Sequence, residues 1–151
     1  MKRVSWKYLA GLIDGEGCID VQVVKGDNGK FYIRPRVRIT MSDVALDLLE
    51  MCKLNFGGYV YSRTFQKAEW NSASSWELAG YKQACPLLRN IVNHLILKKE
   101  QARLCLWMET NLKGKYVSQE CLDTCREELK LMKRDSHRLS EEAQEKILGM
   151  L

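Results

Sequence analysis

Residues 18–40 constrain this chain more than any other stretch. The segment Cys-Ile-Asp-Val-Gln-Val-Val-Lys at 18–25 alternates, with Ile19, Val21 and Val23 on one side and Asp20 and Gln22 on the other. Gly26-Asp27-Asn28-Gly29 supplies turn residues, and residues 31–40 alternate again, with Ile33, Val37 and Ile39 inward and Arg34, Arg36, Arg38 and Thr40 outward. Period-two alternation on both sides of a turn predicts a half-buried hairpin with one apolar and one polar face. Pro35 lacks a ladder donor, which predicts an edge or a bulge at that position.

The surrounding pattern sets the architecture. Ser5 is a suitable N-cap for a helix over 6–14, ended by Gly15 and Gly17. Ser42-Asp43 offers a cap for a helix over 44–55, which Gly57-Gly58 terminates. Residues 59–65 and 74–79 form a second predicted hairpin. From Tyr81 the apolar spacing is helical and continues through Met108, and two terminal helices follow, capped by Ser118 and Ser140. The order αββαββα plus extra helices predicts an α+β fold: a four-stranded antiparallel sheet, helices on one face, the other face polar and basic. At 151 residues, with no repeat or Pro/Ser linker, a single domain over 1–151 is expected, its core over about 5–112 and a helical extension over about 113–151.

Between Cys18 and Met41 five basic residues, Lys25, Lys30, Arg34, Arg36 and Arg38, face two acids, Asp20 and Asp27. Arginines at alternate strand positions project from one face about 6 to 7 Å apart. That spacing suits phosphates or base edges along a duplex, and a two-stranded ribbon enters the major groove. An arginine-rich solvated face fits the same pattern, so the strip leaves both readings open. The overall charge of +5 discriminates little.

Other classes find less support. No apolar run reaches the length of a membrane span, and acids and glycines interrupt the first apolar stretch too early for a signal peptide. The six cysteines include no C-x-x-C pair and read as reduced thiols, which places the expected setting inside a cell, in the cytoplasm of a prokaryote or an organelle interior. Gly15-Glu16-Gly17 lacks a P-loop lysine and Rossmann spacing, and no G-x-S-x-G or zinc spacing occurs.

Residues 9–17 read Leu-Ala-Gly-Leu-Ile-Asp-Gly-Glu-Gly. Small residues at Ala10 and Gly11 suit a close helix crossing. Acids at a helix C-terminus sit against the dipole and call for a cation; a carboxylate beside a free carbonyl makes an oxygen-rich Mg²⁺ site. This nonapeptide resembles the signature of the LAGLIDADG homing endonucleases, from which it differs only by Gly15 and Glu16. The predicted element order is also that family's core.

The resemblance implies a site-specific double-strand DNA endonuclease that uses Mg²⁺ or Mn²⁺ to activate water. One motif copy implies a homodimer on a pseudo-palindromic target, with Leu9, Ala10, Gly11, Ile13 and Asp14 at the crossing of two motif helices. It assigns metal binding to Glu16 and the Gly15 carbonyl. It assigns a basic catalytic role to Lys98, in Leu95-Ile96-Leu97-Lys98-Lys99-Glu100-Gln101. Ser42 or Asp43 would serve as an accessory near the end of the second strand, where Met41 departs from the family's polar residue. DNA contacts would come from outward strand positions: Asp20, Gln22, Arg34, Arg36, Arg38, Thr40, Tyr61, Arg63, Ser75 and Glu77. Lys25 and Lys30 flank the first turn, and Lys113 and Lys115 offer further backbone contacts. The alternative within the family is a nucleic-acid binder that does not cut, such as a maturase acting on intron RNA or a DNA-binding regulator.

Overall fold

The computed structural model describes residues 3–63, 72–135 and 137–151. Helix α1 (Trp6–Glu16) leads into strands β1 (Gly17–Lys25) and β2 (Phe31–Ser42), followed by α2 (Leu46–Phe56), β3 (Tyr59–Arg63) and β4 (Ala73–Ala79). Four helices complete the chain: α3 (Tyr81–Ile91), α4 (Lys99–Asn111), α5 (Gln119–Asp135) and α6 (Glu141–Gly149). The strands form one antiparallel sheet in the order β1-β2-β4-β3. The α+β architecture expected from the sequence is the one observed. Residues 64 and 65, expected to belong to the third strand, lie outside the described residues.

Helix α1 begins where the sequence places it, with Ser5 Oγ accepting the Tyr8 N–H at 3.1 Å. It runs two residues further than expected, through Glu16. Gly15 is tolerated in the last turn, and the Gly17 N–H returns to the Ile13 carbonyl. A side chain at residue 17 would bring a Cβ within 2.8 Å of Ile13 Cα, so glycine is required there by close approach. The β1–β2 ladder is unbroken from Gly17↔Ile39 to Lys25↔Phe31, with no bulge at Pro35. The Pro35 carbonyl accepts the Gly80 N–H at 2.9 Å, so its ring nitrogen faces the side on which β4 has already ended. A locally unpaired edge thus admits proline to an interior strand.

Two expectations need correction. Ser42 makes no capping bond; a 3₁₀ turn over Asp43–Ala45 carries the chain into α2, and Asp43 Oδ1 accepts the Ser74 hydroxyl at 2.7 Å. The helical period from Tyr81 to Met108 is not one helix either. It breaks after the 3₁₀ turn Val92–His94, and α4 restarts at Lys99. Leu95 stays buried in an extended conformation, while the Asp14 carboxylate takes up the amides of Ile96, Leu97 and Lys98. Amides satisfied from outside lose the incentive to remain helical.

The core lies on one side of the sheet in two connected clusters. One joins Leu9, Ile13, Ile19, Val37, Trp76 and Leu88 between α1, α2, α3 and the sheet. The other joins Ile33, Leu104, Met108, Leu122, Leu129 and Ile147 from β2 and α4 to α6. Full burial of each large aliphatic side chain contributes about 1.5 to 3 kcal/mol. The C-terminal helices therefore pack on the core. Phe31 and Val117 exchange two backbone hydrogen bonds, and the buried Tyr81 hydroxyl donates to the Ile33 carbonyl at 2.6 Å.

Candidate functional site

The end of α1 is built from two opposed faces. Leu9, Ala10 and Ile13 are fully buried in the chain's own core, which corrects their assignment to a subunit crossing. On the other side, Gly11 and Gly15 lie one turn apart and exposed, and a Cβ at either would meet nothing within 4 Å. The open face a second helix could approach is thus made by Gly11 and Gly15 with half-buried Leu12 between them.

Asp14 is engaged within the chain. Its carboxylate accepts three amides from the 96–98 segment, from Ile96 at 2.7 Å, Leu97 at 3.1 Å and Lys98 at 3.0 Å. Lys98 returns the contact, its ammonium donating to the Asp14 carbonyl at 2.6 Å. The two expected functional residues Glu16 and Lys98, far apart in sequence, are therefore brought to the same helix end. No basic residue occupies the last turn of α1 itself, so Lys98 supplies the positive charge the dipole favours there.

Glu16 is exposed and makes no hydrogen bond or ion pair among the described residues. Of the terminal α1 carbonyls, that of Ile13 is taken by Gly17 and that of Asp14 by Lys98, and Gly15 follows with Glu16 next in the chain. A carboxylate and a carbonyl are hard oxygen donors, the class Mg²⁺ and Mn²⁺ prefer. Among the described residues no three His, Cys, Asp or Glu side chains gather into a self-contained metal cage. The donor set fits an ion completed by outside oxygens, since Mg²⁺ is commonly held by one or two carboxylates with water and phosphate.

The polar sheet face is more internally paired than its sequence implies. Across the β1–β2 ladder Asp20 faces Arg36 and Gln22 faces Arg34. Arg36 makes a bidentate pair with Asp20 at 3.0 and 2.9 Å and lies 3.9 Å from Glu77. The Asp20 hydrogen bond raises the Arg36 pKa above its usual value, against the opposing effect of burial. Arg34 donates to Gln22 Oε1 at 2.8 Å, a neutral partner that leaves its charge uncompensated. Arg38 has no hydrogen bond or ion pair among the described residues. Ser75 and Glu77 share this face but are 1% and 4% exposed, which corrects their assignment as surface contacts. Ser75 Oγ lies 2.7 Å from Thr40 Oγ1, and Glu77 accepts the Tyr59 hydroxyl, a bond that raises the tyrosine pKa. Tyr61 stacks obliquely on Tyr59 at 5.6 Å. The Arg63 side chain lies outside the described residues. Lys25, Lys30, Lys113 and Lys115 are exposed, whereas Ser42 and Asp43 lie at the far end of β2 beside Ser72 and Ser74.

The chain has six cysteines. All six are free, and burial pushes the Cys52 thiol up to about 11 and Cys85 up to about 12, so both stay protonated near neutrality.

A family model described as LAGLIDADG endonuclease matches residues 9–111. The chain belongs to the LAGLIDADG endonuclease family. A comparison with curated proteins finds no match. Among solved structures, the homing endonuclease I-CvuI in complex with its target (Sro1.3), in the presence of 2 mM Ca, superposes with a TM-score of 0.66 at 21% identity, covering 97% of this chain and 95% of that one. The archaeal intron-encoded homing endonuclease I-Vdi141I, complexed with DNA, gives 0.61 at 18% identity, covering 96% and 92%. The LAGLIDADG homing endonuclease I-GzeII, also bound to a DNA target, gives 0.60 at 20% identity, covering 98% of this chain but 50% of its own. These likenesses establish a shared fold, and the motif helix α1 is the element that carries the family's name in this LAGLIDADG chain.

Proposed function

We propose that two copies of this chain form a symmetric homodimer that cleaves double-stranded DNA at a pseudo-palindromic site with Mg²⁺ or Mn²⁺. The observation that carries this reading is the bare acidic end of α1, where unpaired Glu16 lies beside the exposed Gly11–Gly15 face and anchored Lys98. A pure binder has no physical need for an uncompensated carboxylate where a polyanion docks. A chain that covers half of I-GzeII supports pairing of two copies, and twofold symmetry then sets the symmetry of the target. The six unpaired thiols suit a reducing intracellular setting.

Glu16 and the Gly15 carbonyl would hold the divalent ion. When bound, the ion supplies charge neutralisation at the scissile phosphate and a more acidic water. Lys98 spends one N–H on Asp14, and the remaining ammonium protons are available to a phosphate oxygen on which negative charge develops. Arg34 and Arg38, whose charges are not cancelled within the sheet, neutralise the flanking backbone. Arg36 mainly holds β1 to β2 through Asp20.

The direct test joins the two flanks of the coding gene into one duplex and incubates it with protein in Mg²⁺ or in Ca²⁺. Double-strand cutting at one position in Mg²⁺, with binding alone in Ca²⁺, is expected. Tight binding in both ions without a cut would overturn the endonuclease reading in favour of a binder or RNA maturase.

Asp14 acts here as a positioning residue for Lys98. Asp14→Ala is expected to slow single-turnover cleavage about 10- to 100-fold, the range typical when an orienting partner is removed. Affinity for the duplex in Ca²⁺ should stay unchanged. A matching fall in affinity would instead indicate general damage to the fold.

A further inference from the structure

The C-terminal extension contributes a feature that neither the motif nor residues 9–111 contain. Beside the end of α1 lies a cleft of about 450 Å³, lined by Cys18 of β1, Lys98 and Gln101 of the α4 start, and Lys133 and Arg134 at the end of α5. Its lining includes three cations and no acid. The Lys133 ammonium lies 3.7 Å from Cys18 Sγ.

That approach is informative because the two residues come from opposite sides of the sheet. Cys18 sits on the polar face, paired with Arg38 and alternating with Ile19, which is buried in the core. Helix α5 packs beneath the other face, with Leu129 and Met132 buried in the second core cluster near Val21 and Val23. β1 is one of the two edge strands. Lys133 therefore reaches round the β1 edge to Cys18 on the polar face, two residues along the chain from Glu16. The same lining holds a buried polar group. Gln101 is 4% exposed, and its Oε1 is buried without a hydrogen bond. The two ends of a glutamine amide exchange by a flip, so this buried group can accept from a hydroxyl or, turned over, donate to a phosphate oxygen.

The geometry points to a second anion site, next to Lys98, in which a DNA backbone phosphodiester is held by Lys133 and Arg134. This rests on the reading of the chain as a DNA-binding endonuclease. It extends the phosphate track from Arg38 past the β1 edge and gives α5 a function beyond packing. Arg134 pairs with Asp135 at 3.0 Å, but both groups are largely exposed, and such a pair exchanges readily for a phosphate. Complementing the α5 dipole accounts for basic residues in its last turn. It does not account for the placement of Lys133 against Cys18 or for the unpaired Gln101.

The test measures binding of the full-length protein to a synthetic mixed-sequence duplex in Ca²⁺ between about 50 and about 200 mM salt. The double variant K133A/R134A is expected to lower the salt slope by about 0.9 for each phosphate no longer neutralised, narrowing the affinity ratio across that range about 3.5-fold per phosphate. K133R/R134K should retain the wild-type slope. K146A, which removes one charge from exposed α6, should leave it unchanged. An unaltered slope in K133A/R134A, or an equal fall in K146A, overturns the site. Wild-type protein that shows no salt-dependent duplex binding overturns instead the DNA-binding reading beneath it.

Discussion

Glu16→Gln is expected to abolish Mg²⁺-dependent cleavage while DNA affinity in Ca²⁺ stays within about threefold of wild type. The side chain is exposed and unpaired, so the substitution removes one negative charge and breaks no packing or hydrogen bond. The cost falls on the reacting phosphate. A divalent ion contributes several kcal/mol of charge stabilisation, so its displacement should slow the single-turnover rate by about a thousandfold or more. Any small change in affinity should be a gain, because one repulsive charge near the backbone has gone. Cleavage by Glu16→Gln at the wild-type rate would remove this carboxylate from the mechanism and leave Lys98 without its expected counterpart.

The largest effect on folding is expected at Trp76. Its ring is fully buried, packs obliquely on Phe56 with centroids 6.2 Å apart, and donates from Nε1 to the Gly57 carbonyl at 2.8 Å. It joins β4 to the turn that ends α2, where Gly57 and Gly58 both hold positive φ, 82° and 85°. Trp76→Ala should cost about 3 to 5 kcal/mol, from reduced burial and the cavity left behind. Set against a typical stability of about 5 to 15 kcal/mol, that is a large share. Urea unfolding monitored by circular dichroism would show it as a lower midpoint with an unchanged slope. Trp76→Phe keeps most of the ring but removes the hydrogen bond, so its cost should be nearer 1 to 2 kcal/mol, about the value of one buried bond. Equal effects in both variants would mean that the bond to Gly57, and not the ring volume, holds the turn.

Local signals are legible in the sequence. The first hairpin follows from alternation and a four-residue turn, and Ser5, Ser118 and Ser140 cap the helices they precede. What stays hidden depends on contacts distant in sequence. Asp14 reads as one more motif residue until its carboxylate is found on amides more than 80 residues away, and the same contact explains why the helical period after Tyr81 breaks. Leu9, Ala10 and Ile13 are expected at a helix crossing, and lie in the chain's own core instead, because a motif does not state which face of its helix the rest of the chain covers. Ser75 and Glu77 alternate correctly, yet neighbours on both sides bury them, which strand periodicity cannot register because β4 is an inner strand. The Asp20–Arg36 and Gln22–Arg34 pairs are available by counting outward from Asn28, since both are symmetric about it.

The Asp20–Arg36 pair has a consequence for how this surface can change over generations. Replacement of either partner strands the other: a carboxylate left with only the Cys18 thiol, or a half-buried guanidinium left with a weaker contact at Glu77. Positions 20 and 36 are thus tied, tolerating exchange together and resisting it singly. Position 38 has no such partner among the described residues and position 34 only a neutral one, so each is free to drift alone. New target preferences should accordingly arise first at 34 and 38, with the 20/36 couple as the slower-moving frame between them.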